Sequence, residues 1–341
     1  MSSRYSRGVM LCLVATLSWG GMFPVMTSAL RHVDPFTFTC LRYGIAGLVF
    51  AVLLLVREGS GAMSLRGEKV FLAWVFGTVG FAGFQFLVFW GQQRIGPEGA
   101  LTASIMMATM PLLGFLVNWV VRRVVPPRGA LAFILLSFFG VTLVVTKGDY
   151  AAVLRSPGDF VADAVIILGA LCWVIYTVGA SFFPTWSPVR YTTVTTALGL
   201  TSAVPITVAV LASGAVRRPG LDDVASVWPE LAYMSLVAAV VGVLAWNIGN
   251  KILTPLNGVL FMDVVPITAF AVSAATGVLP ASAQIVGAAI TASALVLNNV
   301  YLRHRLVPAA PAPARVPAPA PAPEVELAAD TRSPESVPAG R

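Results

Sequence analysis

Charge is what this chain has least of: Asp, Glu, Lys and Arg together make up 11% of its 341 residues, against roughly 25% in an average soluble domain. A water-facing surface around one core cannot be assembled from so few charges, and a mean hydropathy of +0.83 points to an integral membrane protein. Histidine and cysteine are scarce as well. His32 falls in a loop and His304 beyond the last apolar stretch, while Cys12, Cys40 and Cys172 sit singly inside apolar stretches. Neither a zinc motif nor a Cys/His nucleophilic pair can be built from that set, and no close pairing offers a disulfide framework. No metal, cofactor or catalytic residue is therefore expected. The net charge of +7 is compatible with a nucleic-acid binder, but the basic residues stand in ones and twos between apolar stretches, with no basic run. Nucleic acid is excluded as a main partner. The lipid bilayer and a small-molecule substrate remain, with the chain a monomer or a homodimer.

Long hydrophobic runs are what is there. A helix crossing about 30 Å of hydrocarbon takes about 20 apolar residues. Stretches without any charge run over residues 8–30, 70–93, 99–121, 129–146 and 231–250. Residues 35–56 are broken only by Arg42; 164–216 hold only Arg190 and divide at Pro184 and Pro188; 252–302 hold only Asp263 and divide near Gly277 and Pro280. The fold class that follows is an all-α integral membrane protein with ten transmembrane helices. The first run is longer than the roughly 7–15 residues of a signal-peptide core, so it reads as a retained helix. From residue 306 onward the chain turns to Ala/Pro repeats and then to polar residues, a composition that cannot bury enough apolar surface to order itself.

Lys and Arg near the span ends divide twelve to six between the two sides, the richer side holding Arg4, Arg7, Arg57, Lys251 and Arg305 among others. The positive-inside bias puts both termini in the cytoplasm of a bacterial inner membrane.

Internal symmetry shows next. Trp90-Gly91-Gln92-Gln93-Arg94-Ile95-Gly96-Pro97 closes span 3, and Trp246-Asn247-Ile248-Gly249-Asn250-Lys251-Ile252-Leu253-Thr254-Pro255 closes span 8. Amide, base, isoleucine and then proline recur, and the following spans carry Met110-Pro111-Leu112 and Val265-Pro266-Ile267. Trp19 and Trp173 each lie about ten residues into their spans, roughly 15 Å deep and near the bilayer centre. Features that match five spans apart, an odd number, must be inverted relative to one another, which is the architecture of secondary transporters with a midplane site. The units are residues 1–7 (cytoplasmic), 8–146 (first five-helix repeat), 147–163 (external loop), 164–303 (second repeat) and 304–341 (tail).

At Trp19-Gly20-Gly21-Met22-Phe23-Pro24, at Pro35 with Arg42-Tyr43, at Pro111 and Pro266, and at Gln284-Ile285-Val286-Gly287, the sequence resembles the EamA-type transporters of the drug/metabolite transporter superfamily. The likeness covers about residues 8–303. The family's frequent acidic residue after helices 4 and 9 is replaced by Arg122-Arg123-Val124-Val125 and Gly277-Val278-Leu279-Pro280. The resemblance implies export of amino acids or related small metabolites.

Substrate-binding candidates follow from polar and aromatic residues at depth. Asp263 is the one acid inside the apolar stretches, where translocon scales put an acid at about +2.5–3.5 kcal/mol. It reads as a substrate-amine contact or proton site, against a structural hydrogen bond. Arg42 lies about 10 Å below the outer end of its span, placed to snorkel, to pair structurally or to meet a ligand. Trp19, Trp173, Tyr176 and Trp246 are cavity aromatics against a packing role, with Trp90 a lesser member. Gln85 and Asn247 are the amides, explained equally by hydrogen bonds inside the bundle. Arg190 reads as an interfacial anchor. An intramembrane enzyme would need polar or metal-binding groups clustered at one depth, which a single acid with no histidine does not supply; a passive channel is the nearer rival to a transporter.

Overall fold

The computed structural model describes residues 3–123, 128–151, 160–253, 258, 261–262, 264–275, 277 and 281–306. All regular secondary structure among them is helical. Numbered in chain order, α1 (Arg4–Ala29), α2 (Pro35–Glu58), α3 (Val70–Ile95), α4 (Gly99–Val121), α6 (Val161–Phe182), α7 (Pro188–Ala212) and α8 (Trp228–Leu253) are each long and apolar enough to cross a bilayer. α5 (Arg128–Thr146), α9 (Val264–Ala275) and α10 (Ser282–Leu306) are the other long helices, and a short one, Leu221–Ser226, precedes α8. Seven described helices thus meet the spanning measure where the sequence predicts ten; α5, α9 and α10 all adjoin residues outside the described set.

Local chemistry sets the helix starts. Asp34 accepts from the amides of Phe36 and Thr37, both at 2.9 Å, with Pro35 opening α2. Ser187 accepts from the amide of Arg190 at 2.9 Å, with Pro188 opening α7. Each is a polar N-cap followed by proline, whose missing N–H removes one of the orphan donors of a helix start. Several boundaries run past the charges that bound them in the sequence reading. α1 already includes Arg4 and Arg7, and α6 begins three residues earlier than expected, taking in Asp163, which is buried. Acids other than Asp263 therefore do fall within described spanning helices, Asp163 in α6 and Glu230 in α8 among them. A carboxylate is tolerated in the first turn of α6 because the helix dipole is positive there.

The long helices pack as antiparallel pairs. Gly249 of α8 lies against Cys12 of α1, and at the other end of that pair Ser28 donates to Glu230 at 2.7 Å. Gly91 of α3 lies against Ile166 of α6, and Gly179 of α6 against Phe76 of α3. Thr193 of α7 reaches the carbonyl of Phe50 on α2 at 3.1 Å. α5 and α10 meet backbone to backbone: a Cβ added at Gly140 would stand 2.7 Å from the Gly287 carbonyl, and one at Gly287 2.6 Å from the Gly140 carbonyl. Small residues are what let helices approach where lipid removes the hydrophobic drive between them. Outward-facing residues such as Leu48, Phe71, Val208 and Ile267 are exposed and apolar, as a lipid-facing surface requires. Arg190 does not reach outward as an anchor. It donates to the carbonyls of Ala62 and Ser64, both at 2.8 Å, and pairs with Glu68 at 2.9 Å, tying the α2–α3 connection to the start of α7.

Both α3 and α8 contain a π-helical stretch, Thr78–Gly83 and Tyr233–Val241. Widening the turn from i→i−4 to i→i−5 disturbs the ladder and re-aims carbonyls, and such segments cluster at functional sites. Here they flank the centre of the bundle.

Candidate functional site

Four of the sequence-selected aromatics meet in that centre. The Trp19 ring stands edge-on to Trp173 with centroids 5.2 Å apart, and tilted to Trp246 at 5.2 Å. Trp173 continues to Tyr176 at 5.0 Å and to Phe84 at 5.3 Å. Edge-on and offset pairs of this kind place the positive ring edge on a negative face. The Trp19 indole N–H donates to the Ala238 carbonyl at 2.8 Å, and that of Trp246 to Thr177 Oγ1 at 3.2 Å. The Trp173 Nε1, buried, has no partner among the described residues.

Arg42 supplies the charge. It is 1% exposed, so it does not snorkel; the surrounding helices close over it before its length can reach an interface. Nε donates to the Met234 carbonyl at 2.8 Å, inside the π-helical stretch of α8, and Nη1 donates to Gln85 Oε1 at 2.7 Å. Gln85 Nε2 donates onward to Tyr43 Oη at 3.1 Å, and the guanidinium lies 4.9 Å from the Tyr43 ring centroid. An arginine at a helix centre costs about 2.5–3.5 kcal/mol to insert. Hydrogen bonds to a charged group are worth about 1.5–3 kcal/mol each, so the two bonds to oxygen are of the size needed to offset it. Among the described residues no carboxylate pairs with Arg42.

Trp19, Arg42, Gln85 and Trp173 line one cavity, together with Met22, Phe84, Met107 and Met262. Its volume is about 10 Å³, at the lower limit for a single water. Two larger cavities lie toward opposite ends of the bundle. One, about 300 Å³, is formed at the ends of α6 and α8 and the start of α7, and includes Trp186, Tyr191, Asn247 and Lys251. The other, about 240 Å³, is formed at the ends of α1 and α3 and includes Thr27, Arg31, Gln92 and Gln93. Between the first of these and the centre stands a hydrogen-bonded layer. Asn247 Nδ2 donates to Tyr176 Oη at 2.9 Å and to Thr192 Oγ1 at 2.7 Å, and Tyr191 Oη donates to the Tyr176 carbonyl at 2.8 Å. On the opposite side Gln92 Nε2 donates to the Phe23 carbonyl and to Thr27 Oγ1, both at 2.8 Å.

Of the sequence candidates, Trp19, Arg42, Gln85 and Trp173 thus share the central cavity. Tyr176, Trp246 and Asn247 belong to the layer beside it, and of these only Asn247 faces the larger cavity at that end. Asp263 lies outside the described residues; its neighbours Met262 and Val265 line the central cavity. Trp90 is apart from the group, 5.2 Å from the Arg94 guanidinium. Sequence reasoning missed Tyr43, Gln92 and Thr192 as partners of the polar network. The adjacency of Tyr43 to Arg42 was a signal for the first. Gln92 stands in the repeated motif that closes span 3, and no residue pattern announced Thr192, because its partner depends on which neighbouring helix is in reach.

The comparisons with known proteins agree with this architecture. The sequence model of the EamA-like transporter family matches residues 6–146. The chain is 36% identical over 296 residues to the uncharacterized transporter YrdR of Bacillus subtilis (strain 168), covering 87% of this chain and 92% of that one. It is 27% identical over 270 residues to the uncharacterized transporter YyaM of the same organism, covering 79% and 86%. A crystal structure of a protein with 20% sequence identity superposes with a TM-score of 0.61, over 87% of this chain and 99% of that one, and so shares the fold. With seven described helices apolar enough to span a bilayer and these relatives, the chain is a multi-pass membrane protein that belongs to the EamA-like transporter family of the drug/metabolite transporter superfamily.

Proposed function

We propose that the protein is a secondary transporter that moves a small polar or amphipathic metabolite by alternating access, with export of amino acids or related metabolites as the leading case. The observation that carries the reading is the central cavity, polar at Arg42 and Gln85 and aromatic at Trp19 and Trp173, closed between two larger cavities toward opposite ends. A carrier needs a site that opens to one side at a time. A channel needs a continuous path, and a centre of about 10 Å³ in line with two closing layers favours the carrier.

The reading includes ten spans arranged as two inverted five-helix repeats, with both termini cytoplasmic in a bacterial inner membrane. Support comes from neighbour relations that survive exchange of α1 with α6 and α3 with α8. The pair α1–α8 has its counterpart in α6–α3, and α2–α7 and α5–α10 each map onto themselves. The π-helical stretches of α3 and α8 also exchange, as do the capped prolines of α2 and α7.

Comparing metabolites released by cells with and without the protein identifies the cargo, and proteoliposomes then test the mechanism. Saturation and counterflow are expected. Flux that rises linearly with concentration and shows no counterflow would establish a channel instead.

A further inference from the structure

The central cavity has a chemical polarity that the transport reading does not use. Its described polar groups are donors or are already engaged as acceptors. Gln85 Oε1 is taken by Arg42, and Gln85 Nε2 by Tyr43. Among the described residues the hydrogen bonds of Arg42 use Nε and Nη1 only, whereas a guanidinium carries five N–H donors in a planar fork. Trp173 adds an indole N–H, donor only, whose nitrogen is fully buried without a described partner although the residue is 3% exposed and lines the same cavity. A cation without a described counter-charge and an unused donor, on two side chains that line one space among apolar ones, complement an anionic acceptor. A guanidinium fork matches the two oxygens of a carboxylate. The remaining walls, the rings of Trp19 and Phe84 and the flexible side chains of Met22 and Met107, suit a compact apolar or aromatic body.

We propose that Arg42 and Trp173 form a carboxylate subsite, so that the transported metabolite carries a carboxylate on a small aromatic or branched apolar body. Arg42 receives the carboxylate through its free donors while Gln85 and the Met234 carbonyl hold the guanidinium in place. The Trp173 N–H completes the acceptor's coordination. Since the closed cavity is too small for such a molecule, the subsite is filled when the bundle opens. This rests on the transport reading for its biological meaning, but the binding chemistry is testable by itself.

Three probes share one skeleton and differ at its head group: 3-phenylpropionate, 3-phenylpropanamide and 3-phenylpropan-1-amine. Binding to the purified full-length protein is read by the rise in melting temperature and by the change in tryptophan fluorescence. The carboxylate is expected to bind about tenfold or more tightly than the amide or the amine, the margin of a charge-assisted over a neutral contact. Arg42→Gln should erase that preference. Should Arg42→Gln fail to fold, Trp173→Phe, which keeps the ring and removes the N–H, should weaken the carboxylate several-fold and the amide by less, narrowing the margin between them. Equal binding of acid and amide, preference for the amine, no response to any of the three, or a Trp173→Phe protein with wild-type carboxylate affinity would each overturn the subsite. Counterflow of 3-phenylpropionate in proteoliposomes separates the two readings. Preferred carboxylate binding without counterflow removes transport and keeps the subsite, whereas saturable counterflow of amide and acid alike keeps transport and removes the subsite.

Discussion

The indole N–H of Trp19 on α1 donates to the backbone carbonyl of Ala238 on α8 at 2.8 Å, within the same π-helical stretch whose Met234 carbonyl accepts from Arg42. One irregular stretch of backbone therefore positions both the aromatic wall and the cation of the central cavity. Trp19 and Arg42 are coupled through α8 without touching its side chains at these bonds.

Trp19→Phe tests that coupling. It keeps a ring against Trp173 and removes one buried hydrogen bond, so a loss of about 1 kcal/mol in stability is expected. Trp19→Ala, by contrast, opens a cavity worth about 3–5 kcal/mol and cannot separate binding from folding. The melting temperature of the detergent-solubilised protein checks both. A Phe variant as unstable as the Ala variant would show that the hydrogen bond, and not the packing, holds the wall.

Topology follows from the basic residues. Reporter fusions after Arg31 and after Arg218 are expected to report the outside, and one after Arg305 the inside. An external signal after Arg305 removes the ten-span count.

Asp263 is predicted to titrate in the transport cycle, from its place in an apolar stretch where an acid is retained only for a partner or a wet cavity. Asp263→Asn keeps the shape and most hydrogen-bonding capacity. Transport by the variant should be flat between about pH 5.5 and pH 8 while that of the parent varies. Wild-type pH dependence in the Asn variant would make the residue structural.

A milder pH effect is expected at the connection between α7 and α8. The amide of Gly220, at 2.8 Å, and then Arg217, also at 2.8 Å, hold the Asp223 carboxyl below its ordinary value. A lowered folded value contributes stability that is present above the unfolded value, about 3.9, and is lost as pH falls through the folded value. Protection of the Gly220 amide, its exchange rate relative to the intrinsic rate at the same pH, should therefore fall only in acid, and Asp223→Asn should show lower protection at neutral pH too. Protection in the parent that does not change with pH would remove the role.

Much of this protein is legible from composition because the bilayer is an unforgiving solvent. An uncharged run of twenty residues must satisfy its backbone internally and becomes a helix, so the boundaries of α2, α3 and α4 lie within a few residues of where the charges end. Trp19 and Trp173 were placed at similar depth by rise per residue alone, and they do face one another. Asp163 shows the limit of that reading. Its charge marks a loop in a sequence scan, while the helix dipole lets α6 begin ahead of it.

What the tertiary structure decided is partnership. Sequence depth allowed Arg42 to snorkel, and only the packing of α2 against α3 and α8 buries it on Gln85 and Met234. Depth likewise grouped Trp246 and Tyr176 with Trp173, yet helix rotation turns them into a closing layer with Asn247 and Thr192 instead of the cavity wall. A sequence fixes how deep a side chain sits, because rise per residue is constant. Which neighbour it meets depends on rotation about each helix axis and on π-helical stretches that shift that rotation midway, and both are set by contacts between residues far apart in the chain.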